Sequence, residues 1–290
     1  MPVDGLSLVG FMDEPEALQY FRSQCAVQQY SDDQLSQQWR SARQRLGQPM
    51  DEAGVPDIQD IPPEYQKYLD DVKQSPRYED TVRDFHDHKF KLIQIDRLLA
   101  FQFHVGSQRS IDLCQGVSQN PPMDVLLKKC LPLDIEAVPS VGTYFPDAQR
   151  PVSILIRSHS LNFRVQHRGM LGGVPDKALN IAGVTIGISS PLVQVVRYDG
   201  RCYLRNGFHR VCGLRRARAT HVPCVFLDAT NVAQIGIPGV GASFQYSRLV
   251  EPNPPTCGHL IPSRAHAVKL RQASRYINVS WSEYDLMDDA

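Results

Sequence analysis

The chain has 290 residues, is 42% hydrophobic and 21% charged, and carries 31 basic against 31 acidic side chains. This is the composition of an ordinary folded domain. No apolar run reaches the roughly 18 residues of a membrane span, and Met1 to Phe11 lacks the basic-then-apolar pattern of a secretory leader. Zero net charge argues against a generic polyanion binder, and the length suits one or two domains of about 150 residues each.

The neutral total hides an uneven spread. Residues 1–90 carry 9 basic and 17 acidic side chains, and residues 151–250 carry 12 and 3. The seven cysteines are an odd number, scattered, with no C-x-x-C pair. That pattern predicts thiols in a reducing, cytoplasmic setting rather than a disulfide frame or a cysteine zinc site.

The front of the chain reads as a helical domain, residues 1–87. Asp13 is placed to cap a helix with Pro15 in its first turn, where the missing N–H costs nothing. Ser31 with Gln34 three residues on makes a capping-box pattern. The helix that follows, Asp32 to Leu46, puts Leu35, Trp39, Ala42 and Leu46 at helical spacing, with Gly47 to end it. Residues 48–62 read as a linker. A further helix is expected over about Pro63 to Val72.

Residues 88–230 read as an α/β core. Phe90 to Leu99 alternates like a strand, and a helix is expected near Asp124 to Cys130. Val152 to Ile156 and Asn162 to Val165 read as strands. Five glycines between Gly169 and Gly187 predict a loop-rich stretch. Leu192 to Arg197, the turn pair Asp199-Gly200 and Arg201 to Leu204 predict a hairpin. A basic helix over about Phe208 to Arg218 and a strand Cys224 to Leu227 follow. Residues 231–290 read as a loop-rich extension with one helix, Ser263 to about Tyr276, and an acidic tail.

The chemistry concentrates in Asn206-Gly207-Phe208-His209-Arg210. Gly207 allows a sharp exit from a strand. A helix starting there presents unpaired N–H groups and partial positive charge, to which His209 and Arg210 add, so an anion such as phosphate fits. The same residues also fit a basic surface helix capped by Asn206 with solvated arginines. His209 as a general base is the weaker role beside phosphate ligation.

This segment resembles the core of the ParB/sulfiredoxin-like superfamily, in which strand, turn and strand lead to a G-x-[HR]-R motif opening a helix, and the next strand begins Ile/Val-Pro. Here Pro191, Gly200, Gly207, His209, Arg210 and Val222-Pro223 stand in that order. Leu92 to His104 is similar to the family's opening strand and its P-x-Q-x-R turn. Gln102 matches the Gln, Ala100 stands where Pro is usual, and His104 stands where Arg is usual. The resemblance covers about 15 residues near 92–106 and about 40 near 188–228. It implies a small mixed-sheet α/β domain that binds ATP or CTP, with Mg²⁺ as a candidate companion. Carried across, Gly207, His209 and Arg210 hold phosphates, and Gln102 lies either near the γ-phosphate or on the solvent side of its turn. His104 and Asn206 complete the implied nucleotide-binding set.

The departures matter as much. Phe208 stands where sulfiredoxins place a nucleophilic Cys and ParB proteins a Glu, so sulfinate reduction is not expected. No helix-turn-helix pattern follows the core, which disfavours a partition clamp. Asp96 and Asp199 receive no role. Asp84, His86, Asp87 and His88 contain metal-ligating types but read as a polar linker, and Gly236 to Gly241 lacks the phosphate-loop pattern. No carboxylate cluster suggests a nuclease. The expectation is therefore a nucleotide-phosphate-binding protein, with ATP- or CTP-dependent phosphotransfer or hydrolysis, or alternatively a non-catalytic module recognising nucleotide, nucleic acid or a protein partner. Arg215, Arg216 and Arg218 of the basic helix would meet such a partner or pair with the acidic front.

Overall fold

Local signals act where the sequence places them. The Asp13 carboxylate accepts the Glu16 N–H at 2.9 Å and starts helix α1, Glu14–Gln24, after strand β1, Val3–Ser7. Ser31 and Gln34 exchange both capping-box bonds at the head of α2, Asp32–Arg45. Trp39 packs against the core and donates its indole N–H to Met12 O at 3.1 Å. The computed structural model describes residues 2–27, 29–47, 51–133, 142–144, 153–158, 163–174, 179–188, 190–238, 243–271 and 275–280.

In chain order the next elements are β2 (Ile58–Gln59), α3 (Gln66–Lys73), α4 (Pro76–Val82), β3 (Asp87–Gln94), β4 (His104–Gly106), α5 (Ser107–Leu113) and α6 (Met123–Cys130). Then come β5 (Gly142–Tyr144), β6 (Ser153–Ser158), β7 (Phe163–Val174) and β8 (Leu179–Ile188). The last are β9 (Gln194–Tyr198), β10 (Arg201–Asn206), α7 (Phe208–Arg216), β11 (His221–Asp228), α8 (Tyr246–Leu249), β12 (His266–Leu270) and β13 (Arg275–Ser280). The fold is mixed α/β. Among the described residues no helix is long and apolar enough to cross a membrane.

Contacts divide the chain into two units, one of residues 1–134 with 191–272, the other of residues 135–190 with 273–290. Expected boundaries near 87 and 230 do not match this division. The reason is a three-stranded sheet, β12-β1-β4, which takes one strand from each of the three expected parts.

The first unit's main sheet has the order β10-β9-β11-β3-β2. Asp199 and Gly200, both at positive φ, form the β9–β10 turn, as the turn pair predicts. β11 lies parallel to β9 and antiparallel to β3. It reaches that place through α7, so β10, α7 and β11 form one crossover. Val195, Val196, Tyr203, Leu204, Val225, Leu227 and Ile93 are buried in this sheet.

Two expectations fail. The helix over Ser263 to Tyr276 is replaced by β12 and the start of β13. In β12, Val268 and Leu270 are buried while Ala267 and Lys269 are exposed, a strand's period of two. The glycine-rich stretch 169–187 lies mostly in the antiparallel pair β7–β8 of the second unit, with register shifts beside Val165 and Met170. Backbone pairing there outweighs the glycines' preference for loops. The second unit also holds the sheet β13-β6-β5. The acidic tail, residues 281–290, and part of the Gly236 to Gly241 stretch lie outside the described residues.

Candidate functional site

The strand-to-helix joint at Gly207 organises the surroundings of the motif. Gly207 has φ 101°, in the left-handed region that glycine alone enters cheaply. A Cβ there would come within 2.8 Å of Val193 Cγ2. The joint is thus tight as well as left-handed, and both facts require glycine. The first helical bond of α7 runs from Val211 N to Gly207 O at 2.9 Å, and no side chain caps the helix. The amides of Phe208 and His209 therefore have no partner within the helix.

Asn206 does not serve as the cap. Its side-chain amide donates to Leu192 O at 3.0 Å. Arg210 donates from Nη1 to the neighbouring carbonyl, Pro191 O, at 2.7 Å. Both side chains thus brace the approach to β9 from either side of Gly207.

His209 turns the other way, onto β4. Its Nε2 accepts the Gly106 N–H at 3.3 Å, which puts its ring proton on Nδ1. Burial lowers its pKa to about 3, helped by the positive charges of Arg109 and Arg210 and by His104. His104 lies on β4, its Nδ1 3.2 Å from the Tyr20 hydroxyl, and burial lowers its pKa to about 4. At neutral pH both imidazoles are uncharged. As a phosphate ligand His209 would act as a neutral donor, while Arg210 and the helix terminus supply positive charge. Gln102 lies in the segment entering β4, bridged to Ser243, and its Oε1 is buried without a hydrogen-bond partner.

Phe208 points into the core. It is 3% exposed and meets Phe101 edge-on, with ring centroids 5.3 Å apart. Cys212 is buried, and burial pushes its thiol up to about 12, so it packs rather than reacts. Asp96 lies at the far end of α7, where both of its oxygens engage Arg215, one at 2.8 Å. Asp199 lies in the β9–β10 turn. Neither carboxylate reaches the Gly207 joint.

The structure thus brings Asn206, Gly207, His209 and Arg210 together by chain continuity. It adds His104 through the contact of His209 with Gly106, and it leaves Gln102 in the segment beside them. Tyr20, Gly106 and Arg109 belong to the same neighbourhood and carry no sequence signal. Tyr20 comes from the helix that Asp13 caps, and Gly106 and Arg109 from a stretch for which the sequence predicts no element. His88, from the His/Asp cluster, lies in β3 and pairs with the Tyr78 hydroxyl at 2.8 Å. Among the described residues no group of three His, Cys, Asp or Glu side chains is placed to hold a metal ion. No family model, curated protein or solved structure matches the chain.

Proposed function

We propose that the first unit binds a nucleotide, ATP or CTP, by seating its phosphates at the N-terminus of α7. The observation that carries this reading is an uncapped helix start, entered through a left-handed glycine and flanked by Arg109 and Arg210. Amides with no helical partner, a helix dipole and guanidinium groups are what a phosphate requires. A Mg²⁺ ion would arrive with the nucleotide's own phosphates rather than in a protein cage. The setting is cytoplasmic, in keeping with seven cysteines that are all free thiols.

The inward Phe208 favours binding without turnover. A side chain buried against Phe101 can neither attack phosphorus nor orient water. The unit then acts as a nucleotide-recognition module whose bound state is read by another surface or partner.

Calorimetric titration with ATP, CTP, GTP and ADP in Mg²⁺, beside a phosphate-release assay, tests this. Saturable binding of at least one triphosphate is expected, weakened about tenfold or more by Arg210→Ala, with no phosphate released above the blank. Absence of binding by all four nucleotides, or binding indifferent to Arg210→Ala, contradicts the site. Steady phosphate release contradicts the assignment of a module without turnover.

A further inference from the structure

The basic arginines beyond the Gly207 joint form a second feature. Helices α5 and α7 cross at Gly213, where a Cβ would come within 2.5 Å of both Ser110 O and Cys114 Sγ. This close crossing sets the charges of the two helices side by side. Arg216 reaches across to Ser107 Oγ at 3.5 Å, and Arg109 stands next to His209. From α6, Lys129 reaches Gln115 O at 3.4 Å, just beyond the end of α5. At the far end of α7, Arg218 is exposed at φ 64°.

Among the described residues, none of Arg109, Lys129, Arg216 and Arg218 forms an ion pair with a carboxylate. Of the neighbouring cations, Arg215 is taken by Asp96 and Lys128 by Asp124. Among the described residues no carboxylate of residues 1–90 forms an ion pair with α7; Asp60, Glu52 and Asp57 engage Lys91, Arg97 and His221 instead. Positive charge outnumbers negative on and beside these helices: Asp112 of α5, which accepts a hydrogen bond from Gln108, and Asp124 of α6 stand against Arg109, Lys128, Lys129, Arg215, Arg216 and Arg218.

Two placements run against local stability. Arg109 sits in the first turn of α5, where the helix dipole disfavours a cation. Arg218 occupies the residue after the cap of α7, closed by Ala219 N to Leu214 O at 3.0 Å and Arg218 N to Arg215 O at 2.9 Å. Glycine is the residue that suits this ending. The dipole accounts for cations at the end of α7 but not for Arg109.

We infer that the α5–α6–α7 face is a docking surface for the sugar-phosphate backbone of a nucleic acid, read without base sequence. Arginine forks match phosphate oxygens. The nine residues of α7 span about 13 Å, an axial rise of about four nucleotides in B-DNA. A membrane surface fits less well, because Ile111 is the only large exposed hydrophobic among the described residues of these three helices. Lys129, Arg216 and Arg218 stand outside the Gly207 joint, so this surface does not depend on the nucleotide reading.

The test is fluorescence anisotropy of labelled 20-mers, single-stranded and duplex, from 50 to 200 mM KCl, with the wild type and an Arg216→Gln/Arg218→Gln variant. Four phosphate contacts predict a slope of log K against log salt near −3.6 for duplex, and removal of two brings it to about −1.8. Circular dichroism checks that the variant is folded, and retained ATP binding by the variant separates the two surfaces. No binding at 50 mM KCl, a slope unchanged in the variant, or variant-sensitive binding to phosphatidylserine vesicles without binding to nucleic acid overturns the inference.

Discussion

Gly207 is the residue on which the account turns, and its demands are steric before they are functional. Gly207→Ala places a side chain at φ 101° and against Val193 Cγ2. A loss of about 1–3 kcal/mol of stability is expected, read as a lower urea midpoint with an unchanged slope. Phe208→Ala removes a buried ring and is expected to cost about 3–5 kcal/mol. A cost below about 1 kcal/mol would show that Phe208 is not anchored in the core. The need for glycine was legible in the sequence because it follows from chain direction alone. The destinations of the polar neighbours were not. Asn206 and Arg210 bond the carbonyls of Leu192 and Pro191, and such partners depend on how β9 lies beside β10.

At the scale of elements, the readable features are those whose partners are close in sequence. The Ser31–Gln34 box closes over three residues, and the Asp199-Gly200 turn over two. Ser31→Ala removes one acceptor from the start of α2 and is expected to cost about 1 kcal/mol, measurable by thermal or urea unfolding. No loss would mean that the cap does not contribute. β12 is the opposite case. Its partner is β1, with Val3 opposite Leu270 across almost the whole chain, so nothing local announces a strand and the residues alone predict a helix. The pair β7–β8 was hidden by its glycines, because residue preference points to loop where backbone pairing decides for strand.

On the scale of the molecule, the sheet β12-β1-β4 draws one strand from each of the three consecutive parts that the sequence suggests, a joining of distant segments that no local pattern announces, whereas the mixed α/β class is legible from the hairpin, helix and strand around Gly207. Charge carries a consequence of its own. Burial lowers the pKa of His104 and His259 to about 4 and of His209 to about 3. Below about pH 6.5 the unfolded chain takes up protons that the folded chain refuses. Stability is therefore fully present above pH 6.5 and falls as pH drops toward 4, by up to about 3 kcal/mol for each group. Urea midpoints at pH 7.0, 5.5 and 4.5 should fall in that order, and a flat series would place these imidazoles in water. The central claim is that phosphate sits on the amides that open α7. Its most direct measurement is an amide nitrogen–proton spectrum of labelled protein titrated with Mg²⁺ and ATP or CTP. The largest saturable shifts are expected at Gly207, Phe208 and His209, with β2 and α3 unmoved. Saturable shifts confined to other residues, or none, would contradict it.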